Sequence, residues 1–365
     1  MVHRGADGSL GWVRRLAPFA LLILALLPSA AFARSVPANF FGVMANGPLD
    51  SPSTDLMAED AVMKAAGVDS QRVPINWDRI QPVQDGAPDW TQVDRKVGAA
   101  AANGMTVLGL VVGSPEWASG SGAPLTPPKD PNTYGAFMKQ LIARYGPFGQ
   151  FWTEHPELPV VPIRDWQVWN EPNLSDYFTV QPFAKPYVRL LRAARTAIRQ
   201  ADPGARVVMA GLANFSWKDL EKLYKAHVKG LFDVAAVHPF SGHPVNSVKI
   251  VRSNRRVMDR HGDRRKPIWL TELTWTSAKG KTKNVHNWET TEAGQAKRLT
   301  EGYGLYVKER RSLRLERIYW YTWAGYDSPP NSFDYSGLRH SSADGTFSDK
   351  PALNAFRAIT KRYGR

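Results

Sequence analysis

Two short segments place carboxylic acids where acid–base chemistry could use them. Trp169-Asn170-Glu171-Pro172-Asn173 and Trp269-Leu270-Thr271-Glu272 each carry an apolar stretch into a glutamate. One carboxyl group kept protonated can give its proton to a leaving oxygen, while a second kept ionised can attack carbon or activate water. That division of labour cleaves acetals, glycosidic bonds among them. Either glutamate alone reads as an ordinary surface or ion-paired residue. Together, at matching positions, they read as a catalytic pair. About 5–5.5 Å between the two carboxyl groups would imply retention at the reacting carbon, and a gap near 9 Å inversion.

The elements that must position them follow from periodicity. Eight short apolar runs, rich in β-branched or aromatic residues, alternate with amphipathic stretches: Phe40–Met44, Gln71–Ile75, Met105–Val112, Trp166–Trp169, Arg206–Ala210, Phe232–Val237, Pro267–Thr271 and Arg317–Tyr321. Continuous apolar runs suit strands covered on both faces. Between them lie helical patterns. Tyr187, Leu190, Leu191, Ala194 and Ile198 share one face, and Asp202-Pro203-Gly204 stops that helix. Asp130 caps another with Pro131 in its first turn, and the last begins near Lys350-Pro351. Eight βα units in one run predict an α/β (β/α)8 barrel over residues 34–365, as a single domain with no linker and no repeat. An open doubly wound sheet is the alternative, but no Gly-rich phosphate loop follows the first strand. Both glutamates then sit where strands end and loops begin, on the face where barrels do chemistry. The long connections after strand 3 (113–129), strand 7 (273–290) and strand 8 (322–349) are expected to wall that face.

The order of these motifs resembles the retaining glycoside hydrolases of clan A, closest in pattern to families 39 and 5. The markers are Asn170-Glu171-Pro172, Glu272, Arg72 on strand 2, His238 after strand 6 and Trp323 after strand 8. Gly337-Leu338, Asp344-Gly345 and Lys350-Pro351-Ala352 look like the return from the last loop into the last helix. The resemblance implies Glu171 as acid/base and Glu272 as nucleophile. It implies Asn170 on the sugar 2-hydroxyl, Arg72 holding Glu272 ionised and oriented, and an oligo- or polysaccharide substrate cut at β bonds, within the chain. One departure stands out. Many clan members carry a tyrosine two residues after the strand 6 histidine, and here that residue is Phe240, which cannot donate a hydrogen bond. Tyr319, Tyr321 or Tyr326 could reach in its place. The alternative function is a barrel that binds glycans without cleaving them; loss of either glutamate would be its sign.

Tryptophan is abundant, with 13 residues. Indoles offer flat apolar faces for a sugar ring and an N–H donor. Core packing suits Trp169, Trp269 and Trp320 inside strands. Trp323 is expected as a sugar platform. Trp117 and Trp275 are candidates for the same role, with core packing the alternative, and Glu116 reads as a subsite or structural residue. His238 and His243 straddle Pro239 and Gly242, so they share no helix face, and the sequence shows no carboxylate cluster to complete a metal site. His238 is expected as a hydrogen-bonded site residue. With no Gly-x-Ser-x-Gly elbow and no phosphate loop, no cofactor and no metal are implied.

Composition sets outer bounds. The 365-residue chain has no cysteine, which excludes disulfides, thiolate metal sites and cysteine nucleophiles. Arg4, Arg14 and Arg15 precede an apolar stretch, Leu16 to Leu27, and Ala31-Phe32-Ala33 forms a small-x-small site. Residues 1–33 therefore read as a secretory signal, and the protein as secreted or extracytoplasmic, with a membrane anchor as the alternative. The net charge of +14 becomes +12 without the three arginines and one aspartate of that segment. Such a charge favours attraction to anionic material such as a cell-wall polymer. The densest basic run, Arg255, Arg256, Arg260, Arg264, Arg265 and Lys266, leads into a strand and so belongs to the far end of the barrel, as a solvated face. No nucleic-acid module signature accompanies it.

Overall fold

The computed structural model describes residues 35–283, 285, 286 and 288–364. The expected signal segment, residues 1–33, lies outside the described residues. Eight parallel strands form one sheet: β1 (Phe41–Met44), β2 (Ser70–Asn76), β3 (Thr106–Val112), β4 (Asp165–Val168), β5 (Arg206–Val208), β6 (Ala235–Val237), β7 (Ile268–Leu273) and β8 (Leu315–Trp320). They run in the order β5-β4-β3-β2-β1-β8-β7-β6, and parallel bridges Val208–Val234 and Leu212–Val237 close the ring between its two ends. Each strand is followed by a main helix: α1 (Leu56–Ala65), α2 (Thr91–Ala102), α3 (Pro131–Tyr145), α4 (Ala184–Ala201), α5 (Ser216–Lys225), α6 (Pro244–Arg260), α7 (Glu292–Leu313) and α8 (Pro351–Tyr363). The result is a (β/α)8 barrel, as the alternating pattern predicts. Among the described residues, no helix is long and apolar enough to cross a membrane.

Local sequence explains the helix ends. Asp130 accepts from the Asn132 N–H at 2.9 Å and Pro131 opens α3, where a missing N–H costs nothing. α4 stops at Asp202, whose carboxylate accepts from the Gly204 N–H and from Arg164. Most of the apolar core lies between strands and helices. A separate cluster fills the barrel itself: Leu108, Val208, Val234, Ala236, Trp269 and Tyr319. At the lower end of that interior Arg317 and Arg206 both pair with Asp165, at 2.8 and 2.7 Å, and both guanidinium groups lie over the Trp269 ring. Trp269 is therefore core, as its place inside a strand suggests.

One expectation needs correction. The basic run ending in Lys266 is not uniformly solvated. Arg255 is buried and donates to the Lys266 and Asp263 carbonyls, so it fastens the turn between α6 and β7. The long segment after β8 contains short strands of its own. It forms a three-stranded sheet of β9 (Ala324–Gly325), β10 (Arg339–Ser341) and β11 (Phe347–Asp349). Strands of two or three residues leave too short an alternation to be read from sequence.

Candidate active site

Side chains alternate along a strand, so every second residue of each barrel strand faces inward. On β7 this rule places Trp269 and Thr271 inside and would send Glu272 out. The pairing with β8 breaks the rule: Leu270 opposes Ile318 while Leu273 opposes Trp320, three steps against two. The extra residue is a bulge at Thr271–Glu272, and it lets two consecutive side chains reach the interior. Glu171 arrives differently. β4 ends at Val168, and the chain then turns through left-handed backbone at Trp169 (φ 69°) and Glu171 (φ 41°). Non-glycine residues adopt such angles at a cost of about 1–3 kcal/mol each. The turn is pinned by Trp169 N–H to the Val111 carbonyl (2.9 Å), the Trp169 indole to the Tyr177 carbonyl (2.7 Å) and Glu171 N–H to the Gly211 carbonyl (3.1 Å).

The two glutamates meet. One carboxylate oxygen from each, with a ring nitrogen of His238, lie within 4.8 Å of one another, and all three residues are buried. That separation belongs with the retaining geometry and is far short of the inverting one. Arg72, fully buried, organises the floor beneath them. It donates to Glu272 Oε1 (2.7 Å), Asn170 Oδ1 (2.8 Å) and Gln167 Oε1 (2.7 Å), with Met44 Sδ at 3.2 Å. Because Asn170 gives its oxygen to Arg72, its amide N–H groups remain for a ligand in the cleft.

A row of hydrogen bonds runs from Arg72 through Gln167, Thr271 and His238 to Glu171. Gln167 accepts from Arg72, so its amide nitrogen must face the other way, and it donates to Thr271 Oγ1 (3.2 Å) and the Met209 carbonyl (3.3 Å). Thr271 Oγ1 also meets His238 Nε2 at 2.9 Å, and its hydroxyl proton is assigned to that bond. His238 then carries its own proton on Nδ1 and donates it to Glu171 Oε1 (2.7 Å). With Oε1 accepting, Oε2 is the oxygen that bears the acidic proton. Burial pushes the Glu171 carboxyl up to about 7, against the opposing pull of Arg72. Burial also pushes His238 down to about 4, with Glu272 resisting and Arg72 assisting, so its imidazole is neutral at pH 5 to 7. The cluster thus pairs a protonated acid with a second carboxyl held by a guanidinium.

The sequence offered no carboxylates to complete a metal site with His238, and the structure brings two. They do not make a cation site. Nδ1 and Glu171 Oε1 bond directly at 2.7 Å, and Glu272 is engaged by Arg72. His243 sits at the start of α6, apart from this group.

Above the cluster opens a cleft of about 610 Å3, lined by Asn170, Glu171 and Glu272 at its base. Trp323 is not its platform. The ring is fully buried and its indole N–H goes to Glu59 Oε2 (2.9 Å), beside the Arg339–Glu59 ion pair that ties β10 to α1. Trp275 is also buried, donates to the Ser241 carbonyl and packs beside Trp320. Trp117 is half-buried, edge-on to Trp77 and bonded to the Gln81 carbonyl, and lines no part of the cleft; nor does Glu116. The cleft's aromatic groups are instead Phe240, Trp288, Phe333, Tyr177 and Tyr321. Of the three tyrosines considered for the missing hydroxyl, Tyr319 is inside the barrel on Ser70 and Arg317, and Tyr326 is exposed. Tyr321 lines the cleft, where burial and then the Glu272 charge hold its hydroxyl protonated. Tyr177, unremarked in the sequence, is pushed up to about 12 by burial and by the charges of Glu171 and Glu272. Its position eight residues after Trp169, in an irregular loop, gives no periodic signal.

No family model matches the sequence, and no curated protein matches it. Solved structures do. A family 39 glycoside hydrolase from the gut symbiont Bacteroides cellulosilyticus superposes with a TM-score of 0.68 at 16% identity, covering 89% of this chain and 64% of that one. The fold is shared with glycoside hydrolases. A monomeric beta-xylosidase from Caulobacter crescentus gives a TM-score of 0.65 at 22% identity, with 90% and 69% covered. A family 5 subfamily 18 protein from Bifidobacterium longum subsp. infantis gives 0.65 at 16%, with 90% and 79% covered. At these identities the likeness is one of fold, and the chain spans about two thirds of the length of the first two neighbours. It is the family 39 and family 5 pairing that the motif order resembles.

Proposed function

We propose that the protein is a retaining glycoside hydrolase that cuts O-glycosidic, β-configured bonds of an oligo- or polysaccharide by double displacement. The observation that carries this reading is the approach of the Glu171 and Glu272 oxygens to within 4.8 Å, one carboxyl raised by burial and the other gripped by Arg72. In the first step Glu272 attacks the anomeric carbon while Glu171 Oε2 protonates the leaving oxygen. Asn170 donates to the sugar's neighbouring hydroxyl, and the contact strengthens as charge develops. Esterification then removes the Glu272 charge, so the Arg72 field falls on Glu171 and favours its ionisation. Glu171 takes a proton from water, which releases the sugar and regenerates both groups. The likeness in fold to glycosidases, beta-xylosidase included, supports this reading.

The finer parts of the proposal are cleavage within the chain, export directed by residues 1–33 with removal after Ala33, and electrostatic association with anionic wall polymer. Internal fragments rather than monosaccharide, formed from a long oligosaccharide, would support the first. Amino-terminal sequencing of the exported protein tests the second.

Azide separates the two glutamates. Glu272→Ala is expected to be inactive, because no other group forms the glycosyl ester. Glu171→Ala should keep partial turnover on nitrophenyl glycosides, whose leaving group needs no proton, and azide should raise it with retained configuration. Rescue of Glu272→Ala with retained configuration, together with inverted product from azide and Glu171→Ala, would reverse the roles. Full activity of both variants would end the glycosidase reading.

A further inference from the structure

The protein is strongly basic, yet none of that charge enters the cleft. Among the described residues lining it there is no lysine and no arginine, and its carboxyl groups are Glu171 and Glu272. Arg72 lies below and is already committed to Glu272, Asn170 and Gln167. His238 is neutral and engaged on both ring nitrogens. His286, at the rim, is packed against Trp288 and Phe333.

One side of the cleft is an aromatic wall. Phe240 and Trp288 lie nearly parallel, 14° apart with centroids at 5.8 Å. Phe333 meets both edge-on, at 5.3 and 5.5 Å, and Tyr321 meets Phe333 at 90°. Phe240 thus serves as part of this wall, packed against Trp288 and Phe333. The remaining polar lining consists of amides and hydroxyls: Asn46, Asn170, Asn214, Asn331, Tyr177 and Tyr321. Such groups both donate and accept, as sugar hydroxyls do, and aromatic faces suit the C–H faces of pyranose rings. A carboxylate on the sugar would find no lysine or arginine among the described lining residues and would be desolvated beside Glu272.

We infer that the cleft selects an uncharged saccharide, held against the Phe240–Trp288–Phe333 wall, and rejects sugars that bear a carboxylate. The inference rests on the glycosidase reading for where the bond is cut, and on the lining alone for what is bound. The anionic attraction of the whole molecule and the specificity of its cleft are then separate properties.

The test has two arms. In the first, nitrophenyl β-glycosides of glucose, galactose, mannose and xylose are compared with the glucuronide and galacturonide. The best neutral substrate should exceed both uronides by at least about 100-fold in kcat/KM, the scale of a like-charge clash. In the second, neutral oligosaccharides and oligogalacturonides are titrated against intrinsic tryptophan fluorescence. Neutral ligands should bind to the wild type and to Trp288→Phe, and Trp288→Ala should weaken them about tenfold or more, as loss of a stacked ring does. A uronide as best substrate, tighter binding of oligogalacturonide, or no binding of any neutral sugar overturns the inference. Trp288-dependent binding of neutral sugars without hydrolysis of any glycoside upholds the inference and removes the glycosidase reading.

Discussion

Burial moves the two ends of the Glu171–His238 hydrogen bond in opposite directions, and two measurable consequences follow. Glu171 is raised to about 7 and His238 lowered to about 4, so both are neutral between those limits. Because the first step needs Glu171 protonated, kcat/KM is expected to fall about tenfold per pH unit above about 7. A basic limb near 5 would mean that Glu171 is not the acid. Stability carries the same signature. Unfolded Glu171 ionises near 4.5 while the folded group waits until about 7, so it makes the fold less stable as pH rises across that window. His238 acts oppositely: its contribution is full above 6.5 and is lost as pH falls through about 4. Glu171→Gln should therefore gain on the wild type by about 3 kcal/mol between pH 4.5 and 8, at about 1.4 per unit. Denaturant midpoints at the two pH values measure this, and a constant difference would place an ionised Glu171 in the fold. Thr271→Val, which keeps shape but removes the proton given to His238, should lower kcat about tenfold and shift the basic limb, with KM little changed. Thr271→Ser should restore both, whereas a purely packing role would leave the limb in place. Glu171 and Glu272 were legible as paired carboxyls at the ends of apolar strands, and Arg72, Asn170 and His238 through the family resemblance of the motif order. Gln167 and Thr271 were not, because an amide and a hydroxyl inside strands look ordinary until their partners are known.

Elements decide whether those residues meet. The eight strands are readable because both faces are covered, which leaves uninterrupted apolar runs. The bulge at Thr271–Glu272 is invisible in one sequence, since it depends on how β7 registers against β8. The aromatic wall is hidden for a related reason. Trp288 and Phe333 come from different long segments, joined where Lys350, fully buried, donates to Ser277 Oγ and the Tyr335 carbonyl and Gln295 donates to the Tyr335 and Ser336 carbonyls. Tryptophan near a strand end suggested a platform at Trp323, but the tie between β10 and α1 uses that ring. Just beyond β5, Gly211 shows how tightly the parts fit. A Cβ there would stand 2.0 Å from His238 Nε2, the atom that receives the Thr271 proton. Gly211→Ala is expected to displace the imidazole, cost about 1–3 kcal/mol of stability through overpacking, and lower kcat far more than the nearby surface variant Lys218→Ala. Thermal unfolding and kinetics read the two effects separately, and an unchanged kcat with a well-folded protein would show that the His238 position is not needed.

At the scale of the whole molecule, charge and chemistry occupy different faces. α4 carries Lys185, Arg189, Arg192, Arg195 and Arg199 and no acidic residue, with Lys185, Arg189 and Arg192 exposed. Among its described lining residues the cleft has no lysine and no arginine. A surface field of this kind draws an anionic polymer over long range, and salt screens it: the Debye length falls from about 10 Å at 0.1 M to about 3 Å at 1 M. Hydrolysis of an uncharged glycoside inside a cleft has no such long-range component. Adsorption to an anionic polymer such as immobilised polygalacturonate should therefore be strong at low salt and largely lost at 1 M. Turnover of the best neutral nitrophenyl glycoside should change less than about twofold over the same range, because the attacking and donating groups are buried and screened little. Reversing the α4 charges with Arg189→Glu and Arg192→Glu should weaken adsorption while leaving turnover intact, and Glu272→Gln should do the reverse. If charge reversal on α4 lowers turnover of a neutral substrate as much as it lowers adsorption, the two faces are coupled and the separation is wrong. If adsorption persists at 1 M salt, the attraction is not electrostatic, and the net charge explains nothing about where the protein binds.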